Sequence, residues 1–273
     1  MILDEILKHK REEVERRKRL VPISRLEAKI KSAPPPRDFV GAISGDEVSI
    51  IAEIKRASPS AGVFREDLNP VELAREYESG GAAAISVITD FKFFMGGLNY
   101  LDEVRSASAL PLLRKEFIID EYQIVESRAH GADAVLLIVA ALERVKLREF
   151  IGICADLGMD ALVETHDERE VELALDCGAE VIGINNRDLK TFRVSLETTK
   201  RLRPLVGEGK IIVSESGIKS PEDIDELKGI GVNAVLIGEK LVRSDDPAGT
   251  IRWLLGQTKN RKGGNDVEEN TSQ

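Results

Sequence analysis

The residues best placed for chemistry stand at the ends of short apolar runs. Ile51-Ala52-Glu53-Ile54-Lys55 sets a carboxylate and an ammonium two residues apart, so in an extended strand both side chains leave one face. Leu112-Leu113-Arg114-Lys115, Leu162-Val163-Glu164 and Ile212-Val213-Ser214-Glu215 repeat the arrangement. Another run ends Gly183-Ile184-Asn185-Asn186-Arg187. Acids and bases gathered at one place tune each other's pKa and suit repeated proton transfer on one substrate. A purely structural ion-pair network is the competing reading, but it needs fewer converging charges, and unpaired buried charge is costly. Ser216-Gly217 and Gly238 close two of the runs. Backbone N–H groups approach an anion closely where no side chain intervenes, so these ends are candidates for a phosphate. Ser58, in Ser58-Pro59-Ser60, can add a hydroxyl or simply make a turn. Phe64, Phe91, Phe93, Phe94, Phe117 and Phe192 all follow apolar runs. They suggest a substrate with an aromatic part, although some of them are expected to pack loops onto the N-terminal segment instead.

The elements that must carry these residues follow from periodicity. Apolar runs at 49–54, 83–88, 110–113, 134–139, 161–163, 181–184, 211–213 and 234–237 are continuous rather than alternating, as in parallel strands buried on both faces. Amphipathic helical stretches separate them. Two open with an N-cap and a proline, Asn69-Pro70 and Ser220-Pro221. The runs recur roughly every 26 residues, the unit of a (β/α)8 TIM barrel. Gly81, Gly131, Gly178 and Gly231 each precede an even-numbered run. That two-unit repeat suits a closed barrel, whose alternate strands build alternate core layers. The expected class is therefore α/β, a TIM barrel over 48–256. A helical leader over 1–47 is expected to dock its apolar stripe beside the barrel mouth. It comprises a helix over 2–20, the break Pro34-Pro35-Pro36, and a short helix over 39–43 capped by Asp38. The tail over 257–273 shows no apolar period and is expected to be disordered.

Composition narrows the partners. The 273 residues carry 39 Lys and Arg against 48 Asp and Glu, a net charge of −9, which argues against a nucleic-acid surface. No apolar run approaches the ~18 residues of a membrane span, and the N-terminal stretch has no signal-like apolar core. Cys154 and Cys177 show no metal-ligand spacing, so a reduced, cytoplasmic setting is expected. His9, His130 and His166 share no spacing, and only His166 follows a strand. The basic run 16–19 reads as a solvated helix face. Neither a metal nor a cofactor is expected.

The segments IIAEIKRASPSAG, RKEFIIDEYQI, ADAVLLIVAAL, GINNRDL, SESGI and VLIGE closely resemble the indole-3-glycerol phosphate synthase family of the tryptophan pathway. The resemblance spans about residues 2 to 255, and the motifs stand in the same order. It implies ring closure of 1-(2-carboxyphenylamino)-1-deoxyribulose 5-phosphate with loss of CO₂ and water. The partner is then a small aromatic sugar phosphate, and the chain a monomer or weak homodimer. By motif, the resemblance makes Lys115 the general acid, Glu164 a base or stabiliser of developing positive charge, and Glu53 a group for the later dehydration. Lys55 would hold the substrate carboxylate, and Asn185 and Arg187 would orient groups. Glu215 and Ser216 would line the floor, Phe94 and Phe117 would contact the substrate, and Ser58, Gly217 and Gly238 would lie at the phosphate. Thr165, Phe91, Gly97 and Glu239 depart from the family's common residues; Glu239 stands beside the phosphate where a small hydroxyl residue is common. Two other readings compete: a Schiff-base aldolase-type barrel using a lysine of lowered pKa, and a non-catalytic phosphate-sensing barrel.

Overall fold

The computed structural model describes residues 2–189 and 191–257. Its strands are β1 (Ser49–Ile54), β2 (Ala84–Ile88), β3 (Leu112–Lys115), β4 (Ala134–Ile138), β5 (Asp160–Thr165), β6 (Val181–Asn185), β7 (Ile211–Glu215) and β8 (Ala234–Ile237). Each pairs in parallel with the next. β1 closes the ring by pairing with β2 through Ile51↔Ala84 and with β8 through Ser49↔Ala234. The result is a (β/α)8 barrel. The helices that follow the strands are α4 (Pro70–Gly80), α5 (Asn99–Ala107), α6 (Glu121–Ala129), α7 (Arg144–Asp156), α8 (Glu168–Asp176), α9 (Glu197–Val206) and α10 (Pro221–Gly229), with α11 (Glu239–Val242) and α12 (Pro247–Leu254) after β8. Ahead of the barrel stand α1 (Ile2–Leu20), α2 (Ile23–Ser32) and α3 (Phe39–Ile43). The tail expected to be disordered lies, from 258 onward, outside the described residues. Among the described residues no helix is long and apolar enough to cross a membrane.

Local chemistry explains the elements. Asn69 caps α4 by accepting from the N–H groups of Val71 and Glu72, and Ser220 and Asp223 form a reciprocal capping box on α10. Gly81, Gly131, Gly178 and Gly231 have φ of 92°, 83°, 89° and 80°. This left-handed step turns each helix back into an even strand without a Cβ penalty. Apolar residues pointing outward, such as Ala52, Ile54 and Val87, pack under the helices, whereas Ile51, Leu113, Leu162 and Val213 fill the barrel interior.

Three details depart from the sequence reading. β3 starts after Pro111 and runs two residues past the last apolar one, because Arg114 is buried with partners: it donates to Thr89 Oγ1 (3.0 Å), Ser127 Oγ (3.0 Å) and Glu126 Oε2 (2.9 Å). An apolar-run criterion cannot see a strand whose charges are neutralised from neighbouring elements. A small antiparallel hairpin pairs Ala57–Ser58 with Gly62–Val63 in the loop after β1. The run 16–19 is not wholly a solvated face: Arg17 turns inward to Glu13 (2.7 Å) and Glu126 (3.0 Å).

The leader contacts both ends of the barrel. Ile2, Leu3 and Ile6 of α1 reach the cavity at the C-terminal ends of the strands, while α2 packs on α6. α3 sits at the opposite end. Phe39 and Ile43 are fully buried against Ile51, Ala84, Ala134 and Val181, and Val40 N–H donates to Asp160 at the start of β5. Phe39→Ala is therefore expected to lower unfolding stability by about 3–5 kcal/mol, the usual cost of deleting a buried ring. Because the ring lies far from the mouth, KM should not change. Denaturant titration beside steady-state kinetics checks both.

Candidate active site

The strand ends open into one cavity of about 640 Å³. Every sequence-predicted site residue except Glu215 is on its lining: Glu53, Lys55, Ser58, Phe94, Lys115, Phe117, Glu164, Asn185, Arg187, Ser216, Gly217 and Gly238. Glu215 lies just beneath, fully buried, and is joined to the lining through Lys115. The carboxylates and Lys115 come from the odd strands β1, β3, β5 and β7, whose upper inward positions share one layer, while Arg187 follows β6. The even strands make room for them. A Cβ at Gly183 on β6 would overlap Glu215 Oε1, and one at Gly238 after β8 would overlap Glu53 Oε1. What the structure shows at Gly238 is the seat of a carboxylate. Gly183 was missed; a glycine inside a strand was its signal.

Lys115 is the centre of the floor. Its Nζ lies 2.5 Å from Glu215 Oε2, 3.7 Å from Glu164 Oε2 and 3.8 Å from Glu53 Oε2. Burial alone would lower its pKa, but the three carboxylates outweigh burial and hold it raised, as an ammonium. Lys55 Nζ is 2.7 Å from Glu53 Oε1. Burial pushes Glu53 up, and Lys55 with Lys115 more than reverses this, so its pKa is lowered. Burial likewise opposes ionisation of Glu164, yet the His166 hydrogen bond, Lys115 and Asn185 bring it down to about 2. Asn185 is oriented for this because its Oδ1 accepts the Arg187 N–H at 3.0 Å, which turns the amide NH₂ toward Glu164. Glu215 differs. Burial raises it, Lys115 lowers it and the Glu164 charge raises it again, leaving it at about 7. The floor thus holds one ammonium, two fixed carboxylates and one carboxyl able to gain or lose a proton near neutrality.

His166, which shares no spacing with the other histidines in the sequence, has two partners in the fold. Its Nε2 is 3.3 Å from Glu164 Oε1 and its Nδ1 is 3.0 Å from Glu170 Oε2. Burial favours the neutral ring, but both carboxylates raise it to about 10. Asn186 is another residue the sequence did not single out. It is buried, donates to Ser214 Oγ (2.9 Å) and Ser216 O (3.0 Å), and accepts from Thr199. It thereby braces the turn where Ser216 and Gly217 take φ of 67° and 91°, a conformation that glycine adopts without a Cβ penalty.

The upper cavity is aromatic and cationic. Phe94 and Phe117 face each other with ring centroids 5.9 Å apart, and Phe64 and Phe192 complete the apolar lining. Phe93 instead packs on His9 of α1 at 5.9 Å, and Phe91 is 74% exposed. Lys240 and Arg243 also line the cavity, stacked over Trp253 (4.9 Å) and Phe64 (4.8 Å). Their three-residue spacing on one helical turn was the signal that could have found them.

A TIM barrel with a buried acid/base floor under an aromatic and cationic mouth is an enzyme of the small-molecule, phosphate-substrate class. A sequence model of the family described as indole-3-glycerol phosphate synthase matches residues 3–254. The chain is 48% identical over 255 residues to the indole-3-glycerol phosphate synthase of Alkaliphilus metalliredigens, covering 93% of this chain and 98% of that protein. It is 49% identical over 265 residues to that of Roseiflexus castenholzii, covering 94% and 98%. Among solved structures, 3-hexulose-6-phosphate synthase superposes with a TM-score of 0.63 at 13% identity, over 78% of this chain and 100% of that one, which bears on the fold alone. The chain belongs to the indole-3-glycerol phosphate synthase family and is a carbon–carbon lyase of tryptophan biosynthesis.

The His166 clamp has a pH signature. Its folded pKa, about 10, lies above the ~6.5 of a free imidazole. The stability it contributes is therefore complete below pH 6.5 and is lost as pH rises through 10. Denaturant midpoints measured across that window should fall for the native chain and stay flatter for His166→Gln. Parallel curves would remove the clamp.

Proposed function

We propose that this chain closes the indole ring of 1-(2-carboxyphenylamino)-1-deoxyribulose 5-phosphate with the following division of labour. The observation that carries the reading is the Lys115 ammonium, held charged by three carboxylates while 18% of its side chain stays open to the cavity. As the ring carbon bearing the carboxylate attacks the ketone carbon, a C–C bond forms and the ketone oxygen gains negative charge. Lys115 donates its proton there, giving an alcohol. The C–carboxylate bond then breaks, CO₂ leaves, and its electron pair restores the benzene ring. The ring nitrogen next expels the hydroxyl, which takes up a proton with the help of Lys55 and leaves as water, and the neighbouring C–H loses a proton to complete the indole.

The pKa directions suit these roles. Glu164, held near 2, is too weak a base to keep a proton, so its fixed negative charge stabilises the cationic nitrogen of the dehydration step. Glu53, paired with Lys55, serves that dehydration, and Lys55 holds the substrate carboxylate before it leaves. Glu215, 2.5 Å from Lys115 and poised at about 7, returns a proton to the lysine. Asn185 orients Glu164, Arg187 orients the sugar chain, and Ser216 lines the floor. The aromatic ring lies against the Phe94 and Phe117 pair, and the phosphate lies at Ser58, Gly217 and Gly238. No cofactor takes part in this sequence of steps. Residues 1–47 act as the leader and 48–256 as the catalytic barrel. The chain acts in the cytoplasm, in keeping with two buried free thiols, Cys154 and Cys177, and as a monomer or weak homodimer.

A Schiff-base mechanism needs a neutral amine, and the carboxylates around Lys115 oppose that. Lys115→Ala should bind substrate yet lose kcat by ~10²–10⁴-fold, the worth of a positioned acid, as read by indole fluorescence. Borohydride with substrate should leave the native enzyme active. Covalent trapping on Lys115, or native turnover in the variant, would overturn the assignment.

A further inference from the structure

The most heavily buried ionic cluster outside the floor joins the leader to the barrel. Lys10 of α1 is 1% exposed. Its Nζ lies 2.8 Å from Glu13, 2.9 Å from Asp90 Oδ2 and 3.0 Å from Glu116 Oε1. Further out, Arg17 bridges Glu13 and Glu126, and Arg114 pairs with Glu126 at 2.9 Å and approaches Glu116 at 3.8 Å. Burying this many charges is costly, and replacing such a set by apolar residues is often neutral or stabilising. Stability alone does not account for it.

The second task of the two central carboxylates does. Asp90 follows β2, and its Oδ1 accepts the backbone N–H of Phe93 at 2.7 Å and of Phe94 at 3.3 Å. Glu116 follows β3. Its Oε1 accepts the N–H of Phe117 at 2.8 Å, while Oε2 accepts from Thr89 Oγ1 at 2.8 Å. Each carboxylate therefore fixes the backbone of one of the facing rings, Phe94 and Phe117, and one ammonium fixes both carboxylates. Asp90 and Glu116 would repel each other without the cation between them. Lys10 itself is held charged: burial works against the ammonium, but Glu116, Asp90 and Glu13 raise its pKa to about 12.

We infer that Lys10 is a positioning residue for the aromatic half of the active site, holding Phe94 and Phe117 at their working separation through Asp90 and Glu116. The inference rests on the proposed placement of the substrate ring against those two side chains. It makes α1 a part of the substrate-binding apparatus through Lys10, which is not on the cavity lining, and Asp90 and Glu116, which are. Arg17 belongs to the same network but touches neither Asp90 nor Glu116 at ion-pair distance, so it separates anchoring of the helix from positioning of the rings.

Two inhibitors read the two ends of the cavity: N-(2-carboxyphenyl)glycine, which has the aromatic carboxylate and no phosphate, and inorganic phosphate. In Lys10→Met, KM and the inhibition constant of the aromatic compound should rise about tenfold, the scale expected when binding groups are displaced by a fraction of an ångström. The phosphate constant should stay within about twofold and kcat within about threefold. Arg17→Met should lose stability yet keep both inhibition constants. If Lys10→Met fails to fold, Lys10→Gln, which keeps a donor of similar reach without the charge, must show the same selective loss. Unchanged affinity for the aromatic compound, or parallel loss of both inhibitors, overturns the inference. Phe117→Ala distinguishes the failures. If it weakens the aromatic compound while the Lys10 variants do not, only the role of Lys10 falls. If it does not, the placement of the ring falls first.

Discussion

A lysine ammonium sunk beneath a barrel mouth is stable only with opposite charge around it, and three carboxylates in its reach are stable only with that ammonium between them. Lys115 with Glu53, Glu164 and Glu215 is this arrangement, and much of the upper barrel is shaped to hold it. None of the four can leave singly without stranding a buried charge. Each carboxylate is restrained from its far side: Glu53 by Lys55, Glu164 by His166 and Asn185, and Glu215 by the close seat beside Gly183. The same mutual dependence separates the proton affinities. Equal carboxylates in water would titrate together, whereas here one is pressed to about 2 and another lifted to about 7.

Barrel closure makes the arrangement geometrically available. In a closed parallel ring, inward positions of alternate strands fall in shared layers. Charges at the ends of β1, β3, β5 and β7 therefore converge without any of them being near the others in sequence. The intervening strands must then be lean at that height, which is why Gly183 and Gly238 sit where larger side chains would collide with Glu215 and Glu53. At the other end of the ring no chemistry is required, and α3 fills the opening with Phe39 and Ile43. One leader thus contributes a packed plug below and an apolar edge above.

The molecule uses the same electrostatic device twice. Lys115 gathers the carboxylates of the floor, and Lys10 gathers Asp90 and Glu116, which hold the backbone of the cavity's walls. The two clusters share a boundary at β3, where consecutive residues point in alternate directions: Arg114 and Glu116 go to the outer network and Lys115 to the inner one. The end of a short strand, Arg114-Lys115, with Glu116 just after it, is therefore a partition between two charge systems.

What the sequence by itself determined was the barrel, its strand count and most of the floor. These are properties of period and position: continuous apolar runs mean buried parallel strands, glycines before alternate strands mean helix ends, and a charged residue ending such a run has few places to point except the mouth. Only the tertiary structure decided what each charge does. His166 and Lys10 carry no local pattern that distinguishes them from a lone histidine and a lysine on a charged helix, and a glycine inside a strand, as Gly183 is, does not say which side chain it makes room for. Their roles come from partners as far as Asp90 and Glu116 from Lys10 or Glu215 from Gly183. The extent of β3 was hidden for the same reason, since Arg114 is an acceptable strand residue only once Thr89, Ser127 and Glu126 surround it. Hydrophobic periodicity is written along the chain, but Coulomb energies depend on distance and burial, and both exist only after the ring has closed.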